Sequence, residues 1–421
     1  MAIPKIPDGP VRLEGLHVPG CLVGSDQELA KIDLTIVDGK IAGTGAEAAI
    51  DMAGAMVFPT FVDMHTHLDK GHIWPRSPNA TGTFDGAINA VRADSTSRWA
   101  AEDVRARMTF ALRCAHAHGT GAIRTHLDSH PPQDEISWAV FDEVRADWAD
   151  RIALQAASLV SCDYVLEDSF PNTAAIVASK GGVLGMVTYP SGNLTAQIDR
   201  FFAVAMDKGL EVDFHVDETL DPGVNTLRDL AQKVIDTGYD RPVTVGHLCS
   251  LSVMPEAEAL ETLDLVARAG LNVVSLPMCN LYLQDRHPNR TPRKRGITIV
   301  HEMVARGIPV SFASDNTRDP FYAYGDLDMI EVMREATRIG HLDHSDYPWT
   351  RAFLANPAAA CGFEAPSLAP GAPADLVICN ARNFNELLAR PQSDRVVLRK
   401  GVRIDTTLPD YAELDPLMRT A

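Results

Sequence analysis

Two histidines stand two residues apart at the end of the apolar run Phe61-Val62-Asp63-Met64-His65-Thr66-His67. Residues i and i+2 of a β-strand point to the same face, so both imidazoles can reach one ion. Neutral imidazole nitrogens suit zinc or iron, with ligand distances of about 2.0–2.1 Å for zinc. A His-x-His pair alone is weak evidence for a metal site. Because the pair lies between an apolar strand and a polar loop, we predict His65 and His67 as metal ligands.

A second apolar stretch, Val212-Asp213-Phe214-His215-Val216-Asp217-Glu218, also ends in a histidine. His215 is the predicted third ligand. Glu218 follows in the loop, where its carboxyl group can reach a substrate above the metal and act as general acid or base. Asp217 and Glu218 can also be solvated loop charges that precede a helix, and for Asp217 in particular this alternative stays open.

Two further strand ends carry polar side chains. His247 follows Val243-Thr244-Val245-Gly246, and there an imidazole can hold a metal-bound hydroxide or polarise a leaving group. A structural histidine at the rim is the alternative. Asp315 ends the stretch 308–315 and can bind metal and accept the proton of the nucleophilic water, although it can also cap the next helix. These residues therefore fall at the ends of predicted strands one, five, six and eight.

The strands that position these residues alternate with helix-length segments, a pattern typical of a parallel α/β fold. Segments 101–118 and 255–268 carry apolar residues at helical spacing and predict outer helices. Eight strand–helix units with functional residues at the carboxyl ends of the strands predict a (β/α)8 TIM-type barrel. The eight candidate strands are 56–65, 121–127, 152–160, 183–188, 210–216, 242–247, 271–276 and 308–314.

The two ends of the chain have a different sequence pattern, in which short apolar runs alternate with turns. Asp38-Gly39 separates two such runs and predicts a β-hairpin, since glycine tolerates the positive φ that this turn requires. Similar runs recur at 374–379 and 396–404. We expect the ends, 1–58 plus 366–421, to form a small β-sandwich domain beside a barrel at 59–365.

Composition and charge restrict the partners. The net charge is -18, from 38 basic and 56 acidic residues, and this charge repels nucleic acid and anionic membranes. We find no apolar run of about 18 residues that would span a membrane and no secretory signal at the N-terminus. The seven cysteines are scattered and odd in number, which argues against a disulfide framework. A small-molecule ligand and a cytoplasmic location are therefore expected.

Several blocks resemble the amidohydrolase superfamily and, within it, the cytosine deaminase family. The resemblance covers 57 to about 362 and the flanking β segments. It implies that His65, His67, His215 and Asp315 ligate one zinc or iron ion, and that Glu218, His247 and Asp315 serve catalysis. The matching blocks beyond the metal site are Arg124-Thr125-His126-Leu127-Asp128, 280–286, Arg295-Gly296-Ile297-Thr298 and Asp319-Pro320-Phe321.

The resemblance also bears on the number of metals and on the substrate. Members with two metals bridge them with a carboxylated lysine at the end of strand four, but 182–190 contains no lysine and Lys180 lies at the opposite end of the barrel, so one ion is expected. The family holds the pyrimidine edge with an amide at the end of strand three, where this chain has Ser161. A hydroxyl cannot make the two-point contact of an amide. Gln284 and Phe321 are further predicted substrate contacts.

The implied reaction is hydrolytic deamination of cytosine, or of a related amino-substituted nitrogen heterocycle, by a metal-bound hydroxide. One alternative is a cyclic amide or alkylamino-triazine hydrolase that uses the same site. Another is a non-catalytic relative of the barrel, which would be expected to lack one or more ligands. The resemblance further suggests a homo-oligomer.

Overall fold

The computed structural model describes residues 3–391 and 394–419. The strands in chain order are β1 (Val11–Pro19), β2 (Leu29–Val37), β3 (Lys40–Ala42), β4 (Ala48–Asp51), β5 (Met56–Pro59), β6 (Phe61–Thr66), β7 (Thr120–Asp128), β8 (Ala153–Ser161), β9 (Leu184–Thr188), β10 (Val212–Val216), β11 (Val243–His247), β12 (Asn272–Ser275), β13 (Val310–Phe312), β14 (Leu376–Cys379), β15 (Arg395–Arg399) and β16 (Val402–Arg403).

Helices separate most of the strands. They are α1 (Phe84–Arg98), α2 (Ala101–His118), α3 (Gln133–Trp148), α4 (Phe170–Ser179), α5 (Leu194–Lys208), α6 (Thr226–Thr237), α7 (Glu256–Ala269), α8 (Pro277–Leu283), α9 (Val300–Val304), α10 (Met329–Gly340), α11 (Ala355–Cys361), α12 (Phe384–Ala389) and α13 (Asp415–Met418). The two outer helices predicted from periodicity correspond to α2 and α7 and agree to within one residue at each end.

Strands β6 to β13 run parallel and pair in chain order, and they form the predicted TIM-type barrel. The first and last strands meet at their carboxyl ends, where the backbone N–H of Asp315 donates to the carbonyl oxygen of His65 at 2.8 Å. Thr66 and Asp315 also form an isolated parallel bridge. This closing contact joins two of the predicted metal-binding segments directly.

The first predicted strand, 56–65, is two strands that belong to different sheets. Met56–Pro59 pairs antiparallel with β14, and Phe61–Thr66 pairs with β7. The chain changes sheet at Thr60. The backbone N–H of Thr60 donates to the carbonyl oxygen of Asp375, while that of Phe61 donates to the carbonyl oxygen of Gly119. Both strands are fully buried. Because strands buried on both faces form a nearly continuous apolar run, the sequence pattern did not show where one strand ends and the next begins.

The remaining strands come from both ends of the chain and form one sheet in the order β16-β15-β14-β5-β1-β2-β3, with β4 beside β1. The predicted hairpin is confirmed, since Asp38 and Gly39 have φ values of 50° and 75° and join β2 to β3. The expected pairing of the two chain ends is also confirmed. The sandwich is not confirmed, because these strands form a single hydrogen-bonded sheet.

This terminal sheet is attached to the barrel through one of its faces. Along β14, Leu376 and Ile378 join an apolar cluster formed by the chain ends, whereas Val377 and Cys379 join the large core of the barrel. Side chains alternate between faces along a strand, so β14 separates the two cores. The domain bounds 1–58 plus 366–421 and 59–365 stay a prediction, and positions 1, 2, 392, 393, 420 and 421 lie outside the described residues.

Within the described part of the chain, none of the helices combines the length and the apolar character that crossing a membrane requires.

Candidate metal centre and active site

Four of the predicted site residues bring their donor atoms together at the carboxyl end of the barrel. The Nε2 atom of His215 lies 3.1 Å from Nε2 of His65 and 3.4 Å from Nε2 of His67. The Oδ1 atom of Asp315 lies 3.5 Å from Nε2 of His65 and 3.1 Å from Nε2 of His67. A tetrahedral zinc shell with bonds of about 2.0–2.1 Å has donor–donor edges of about 3.3 Å. The four distances of 3.1–3.5 Å are close to such an edge.

The environment of these donors also fits a metal ion. His65 and Asp315 are fully buried, and neither carboxylate oxygen of Asp315 has a hydrogen-bond partner within the described residues. Burial raises the pKa of Asp315 to about 7. Burial, together with the neighbouring imidazoles, lowers the pKa of His65 and His215 well below the usual value. Neutral imidazoles beside an unpaired buried carboxylate are a donor set that a divalent cation would satisfy.

A fifth donor, His126 on β7, belongs to the same cluster and was missed as a site residue. Its ring centroid lies 4.0 Å from that of His65, and its Nε2 lies 3.2 Å from Oδ1 of Asp213. The signal was present in Arg124-Thr125-His126, since His126 stands two residues after Arg124 and therefore shares its inward face. Arg124 in turn donates to Asp213 at 3.0 Å.

His247 turns into the site by a departure from regular strand geometry. In the register of β10 and β11, Gly246 pairs with His215 and shares its inward face, so a regular strand would point His247 outward. Instead, His247 has a φ of 74°, and its ring centroid lies 5.0 Å from that of His215. Positive φ at a non-glycine residue is strained and is often found at functional sites.

Glu218 and His247 share a common partner, the amide of Asn280 on α8. The Nδ2 of Asn280 donates to Oε1 of Glu218 at 3.2 Å and lies 3.0 Å from Nδ1 of His247. Because an amide nitrogen only donates, Nδ1 of His247 accepts here and Nε2 carries the proton. That Nε2 is buried and has no partner among the described residues.

The carboxyl group of Glu218 is suited to donate a proton. Burial first, and then the nearby charge of Asp315, raise the pKa of Glu218 well above its usual value. A raised pKa favours the protonated form of the carboxyl group, which is the form that a general acid requires. Burial lowers the pKa of His247 to about 3, so its imidazole stays neutral.

Asp217 serves structure and is not a solvated loop charge. Its carboxylate accepts hydrogen bonds from the N–H groups of Thr226 and Leu227 and from the hydroxyl of Thr226, at 2.6–3.1 Å. These residues begin α6, so Asp217 satisfies N–H groups that the helix itself leaves unpaired. The loop that carries Glu218 is thereby fixed to the barrel.

The three predicted substrate contacts lie in different surroundings. The side-chain Nε2 of Gln284 donates to the carbonyl oxygen of Glu218 at 3.0 Å. Phe321 packs edge to face against Phe84, with ring centroids 5.5 Å apart. Ser161 ends β8, and its backbone N–H donates to Nε2 of His130. Gln284 therefore supports the Glu218 loop, while direct contact of any of the three with substrate stays a prediction.

Comparisons with known proteins agree with this site. A family model described as "Amidohydrolase family" matches residues 183–407. The chain is 53% identical over 403 residues to a pterin deaminase of Rhizobium rhizogenes, covering 94% of this chain and 92% of that protein. It is 25% identical over 304 residues to an N-isopropylammelide isopropyl amidohydrolase of a Pseudomonas species, covering 70% and 71%.

A solved structure resembles the whole molecule. The 5-methylcytosine deaminase of Klebsiella pneumoniae, liganded with 5-fluorocytosine, superimposes with a TM-score of 0.80 at 26% identity, over 95% of this chain and 98% of that one. The chain belongs to the amidohydrolase superfamily. It is a hydrolase that acts on carbon–nitrogen bonds other than peptide bonds. The family is metal-dependent, and the histidine-rich cluster agrees with this property.

Proposed function

We propose that this protein hydrolytically deaminates an amino-substituted nitrogen heterocycle, and that the ring is a pterin. The observation that carries the proposal is the Glu218–Asn280–His247 arrangement beside the donor cluster. It places a carboxyl group with a raised pKa and a neutral imidazole next to the proposed metal position. The 53% identity to a pterin deaminase supports the choice of ring over cytosine.

His65, His67, His215 and Asp315 would hold one ion, zinc or iron. A divalent ion held there would lower the pKa of water from about 15.7 towards 7 and would so supply the nucleophile at neutral pH. The ring of His126 packs against that of His65 and contacts Asp213. We assign His126 the role of orienting His65, not that of a further metal ligand.

The proposed role of each remaining residue follows from whether its side chain donates or accepts a proton. Glu218 donates its proton to a ring nitrogen, which makes the neighbouring amino-bearing carbon electrophilic. Asp315 accepts the proton of the attacking water and returns it to the amine. The Nε2–H of His247 donates to the incoming oxygen. The carbon–nitrogen bond then breaks and ammonia leaves. The proton that remains on the attacking oxygen passes back to Glu218, which leaves the oxo-substituted ring as the second product.

The test is ammonia release across a panel of rings, measured separately from ring opening. Pterin is expected to release ammonia with a higher kcat/KM than cytosine. Glu218→Gln, which keeps the size of the side chain but has no carboxyl proton, should lower kcat by about 10²–10⁴-fold. Absence of ammonia with every aminated ring would reject deamination.

An alkylamino-triazine hydrolase is the second candidate, because the Pseudomonas relative removes an isopropylamine group by name. N-isopropylammelide belongs in the same panel, and isopropylamine release faster than ammonia release from pterin would favour this alternative. Mass analysis in solution would test the expected homo-oligomer, and fractionation of the source cells would test the cytoplasmic location.

A further inference from the structure

Lys70 is a buried ammonium group that the roles above do not use. Only 4% of the residue is exposed. Its Nζ donates to Oδ1 of Asp128 at 3.1 Å, and this is the one acceptor found for it within the described residues. A lysine ammonium carries three N–H donors, so two of them remain available. Buried donors without acceptors are costly unless a ligand or water satisfies them.

The neighbours of Lys70 belong to the proposed substrate site and not to the outer surface of the barrel. Its Nζ lies 5.2 Å from the ring centroid of Phe321, which packs against Phe84. After burial, the charge of Lys70 is the largest influence on the pKa of His67, and it also acts on the pKa of Glu218. The ammonium therefore lies beside the aromatic ring of Phe321, and its charge acts on a residue of the donor cluster and on Glu218.

The charges around Lys70 restrict what it can bind. The carboxyl groups of Asp128, Asp69 and Asp319 all act on the ammonium. Asp128 bonds the ammonium directly, whereas Asp69 and Asp319 are buried carboxyl groups whose pKa values burial raises to about 7 and about 6. An anionic substituent would be repelled by this set of carboxyl groups. A neutral carbonyl oxygen would accept the free N–H groups without adding charge.

We propose that Lys70 is a substrate-binding residue that selects rings with an exocyclic oxo group next to the ring N–H that flanks the amino-bearing carbon. This inference rests on the proposed deaminase function and narrows it. Pterin has this arrangement, since its amino-bearing carbon and its oxo-bearing carbon flank one ring N–H, while the other ring nitrogen beside the amino-bearing carbon is free to accept the proton of Glu218. Asp128 holds the ammonium in place, and Phe321 lies under the ring system.

The experiment compares ligands with and without the oxo group. The variant is Lys70→Met combined with Asp128→Asn, because the second change avoids an unpaired carboxylate. For pterin, kcat/KM should fall about tenfold to hundredfold, mainly through KM, as expected for a lost hydrogen bond to a charged donor. For 2-aminopteridine the change should be less than about threefold. Equal losses on both substrates would overturn the proposal.

Equilibrium binding gives a readout that needs no turnover. The dissociation constant of pteridine-2,4-dione, which carries the oxo group, should rise in the double variant by the same factor as KM for pterin. That of pteridin-2-one should stay within about threefold. An unchanged dissociation constant for pteridine-2,4-dione would contradict the role of Lys70. Because these ligands do not react, the result holds even if the wild-type protein releases no ammonia, an outcome that would reject only the deaminase function.

Two further variants control for structural damage. Lys180→Met removes a lysine on the surface that donates a hydrogen bond to Asp142 at 2.8 Å. This variant should leave kcat/KM for both substrates unchanged. Lys70→Gln keeps an N–H donor without the charge and should recover part of the preference for the oxo ring. If Lys70→Gln still binds its metal but shows no preference in kcat/KM for the ring with the oxo group over the ring without it, the result would count against the proposal.

Discussion

Gly246 faces His65 across the interior of the barrel. A Cβ atom on Gly246 would lie 3.3 Å from Cε1 and 3.4 Å from Nδ1 of His65. Such contacts are tighter than side chains normally accept, and Val274 closes the third side at 3.4 Å. The absence of a side chain at 246 is therefore what leaves room for the imidazole of His65 in its observed position.

Gly246→Ala is expected to displace His65 and to weaken metal binding by about 10–100-fold, the range seen when groups that orient a ligand are changed. Competition with a chelator of known affinity measures this. Gly43→Ala is the matched control, because a Cβ there meets nothing within 4 Å and the backbone φ is not positive. Equal affinities for the two variants would show that the His65 contact has no influence on the ion.

His126→Asn separates orientation from ligation. We expect about tenfold weaker metal binding with one ion per chain still reached at saturation, because on our assignment His126 orients His65 through the contact of their rings. His67→Asn should instead lower the affinity much further, since it removes a donor atom. Metal analysis after equilibrium dialysis gives both values. If the two variants lose the ion alike, His126 is a ligand and our assignment is wrong.

Asn280→Leu removes the amide between Glu218 and His247 and preserves the approximate volume. We expect kcat to fall about 10²-fold with little change in bound metal, because the His247 tautomer and the Glu218 position are no longer fixed. The pH profile of kcat should shift as well, which a purely structural defect would not cause. Asn272→Leu, at the opposite end of the barrel on β12, should retain activity.

The pair of Asp328 and Arg395 predicts acid sensitivity of the fold. The two groups form hydrogen bonds of 2.5 and 2.8 Å, with side chains 12% and 4% exposed. Burial alone raises the pKa of Asp328, but the charge and hydrogen bonds of Arg395 outweigh it and lower the pKa below the usual value. The stabilisation is therefore complete above about pH 4 and is lost as the pH falls through the lowered pKa.

Asp328→Asn should reduce the free energy of unfolding at pH 7 by about 3 kcal/mol, since it removes the carboxylate that faces a buried guanidinium. Chemical denaturation at several pH values would show the deficit shrinking below about pH 4. Glu143→Gln breaks an exposed pair with Arg105 and should lose less than about 1 kcal/mol. A deficit for Asp328→Asn that does not depend on pH would refute the electrostatic origin.

The convergence of the proposed ligand histidines was predictable because each lies at the carboxyl end of an apolar strand, and parallel strands bring those ends together. His65, His67, His215 and Asp315 converge as expected. His126 was missed because β7 continues beyond it to Asp128, so it does not mark a strand end. Only its place on the inward face of the barrel, set by pairing, reveals its role.

Other features depend on tertiary contacts that no local pattern contains. The inward turn of His247 requires a positive φ, whereas the sequence alone would continue β11 regularly. The change of sheet at Thr60 depends on hydrogen bonds to residues far along the chain, Gly119 and Asp375. The position of Lys70 was likewise invisible until Asp128 and Phe321 were seen around it.

The most direct test of the proposed chemistry is a metal titration of chelator-treated protein, with bound metal and ammonia release from pterin measured on the same samples. We predict that the rate of ammonia release rises in proportion to bound zinc or iron and saturates at one ion per chain, with one ammonia per pterin consumed. Full activity without metal, saturation at two ions per chain, or no ammonia from the fully loaded protein would contradict a single-metal deaminase.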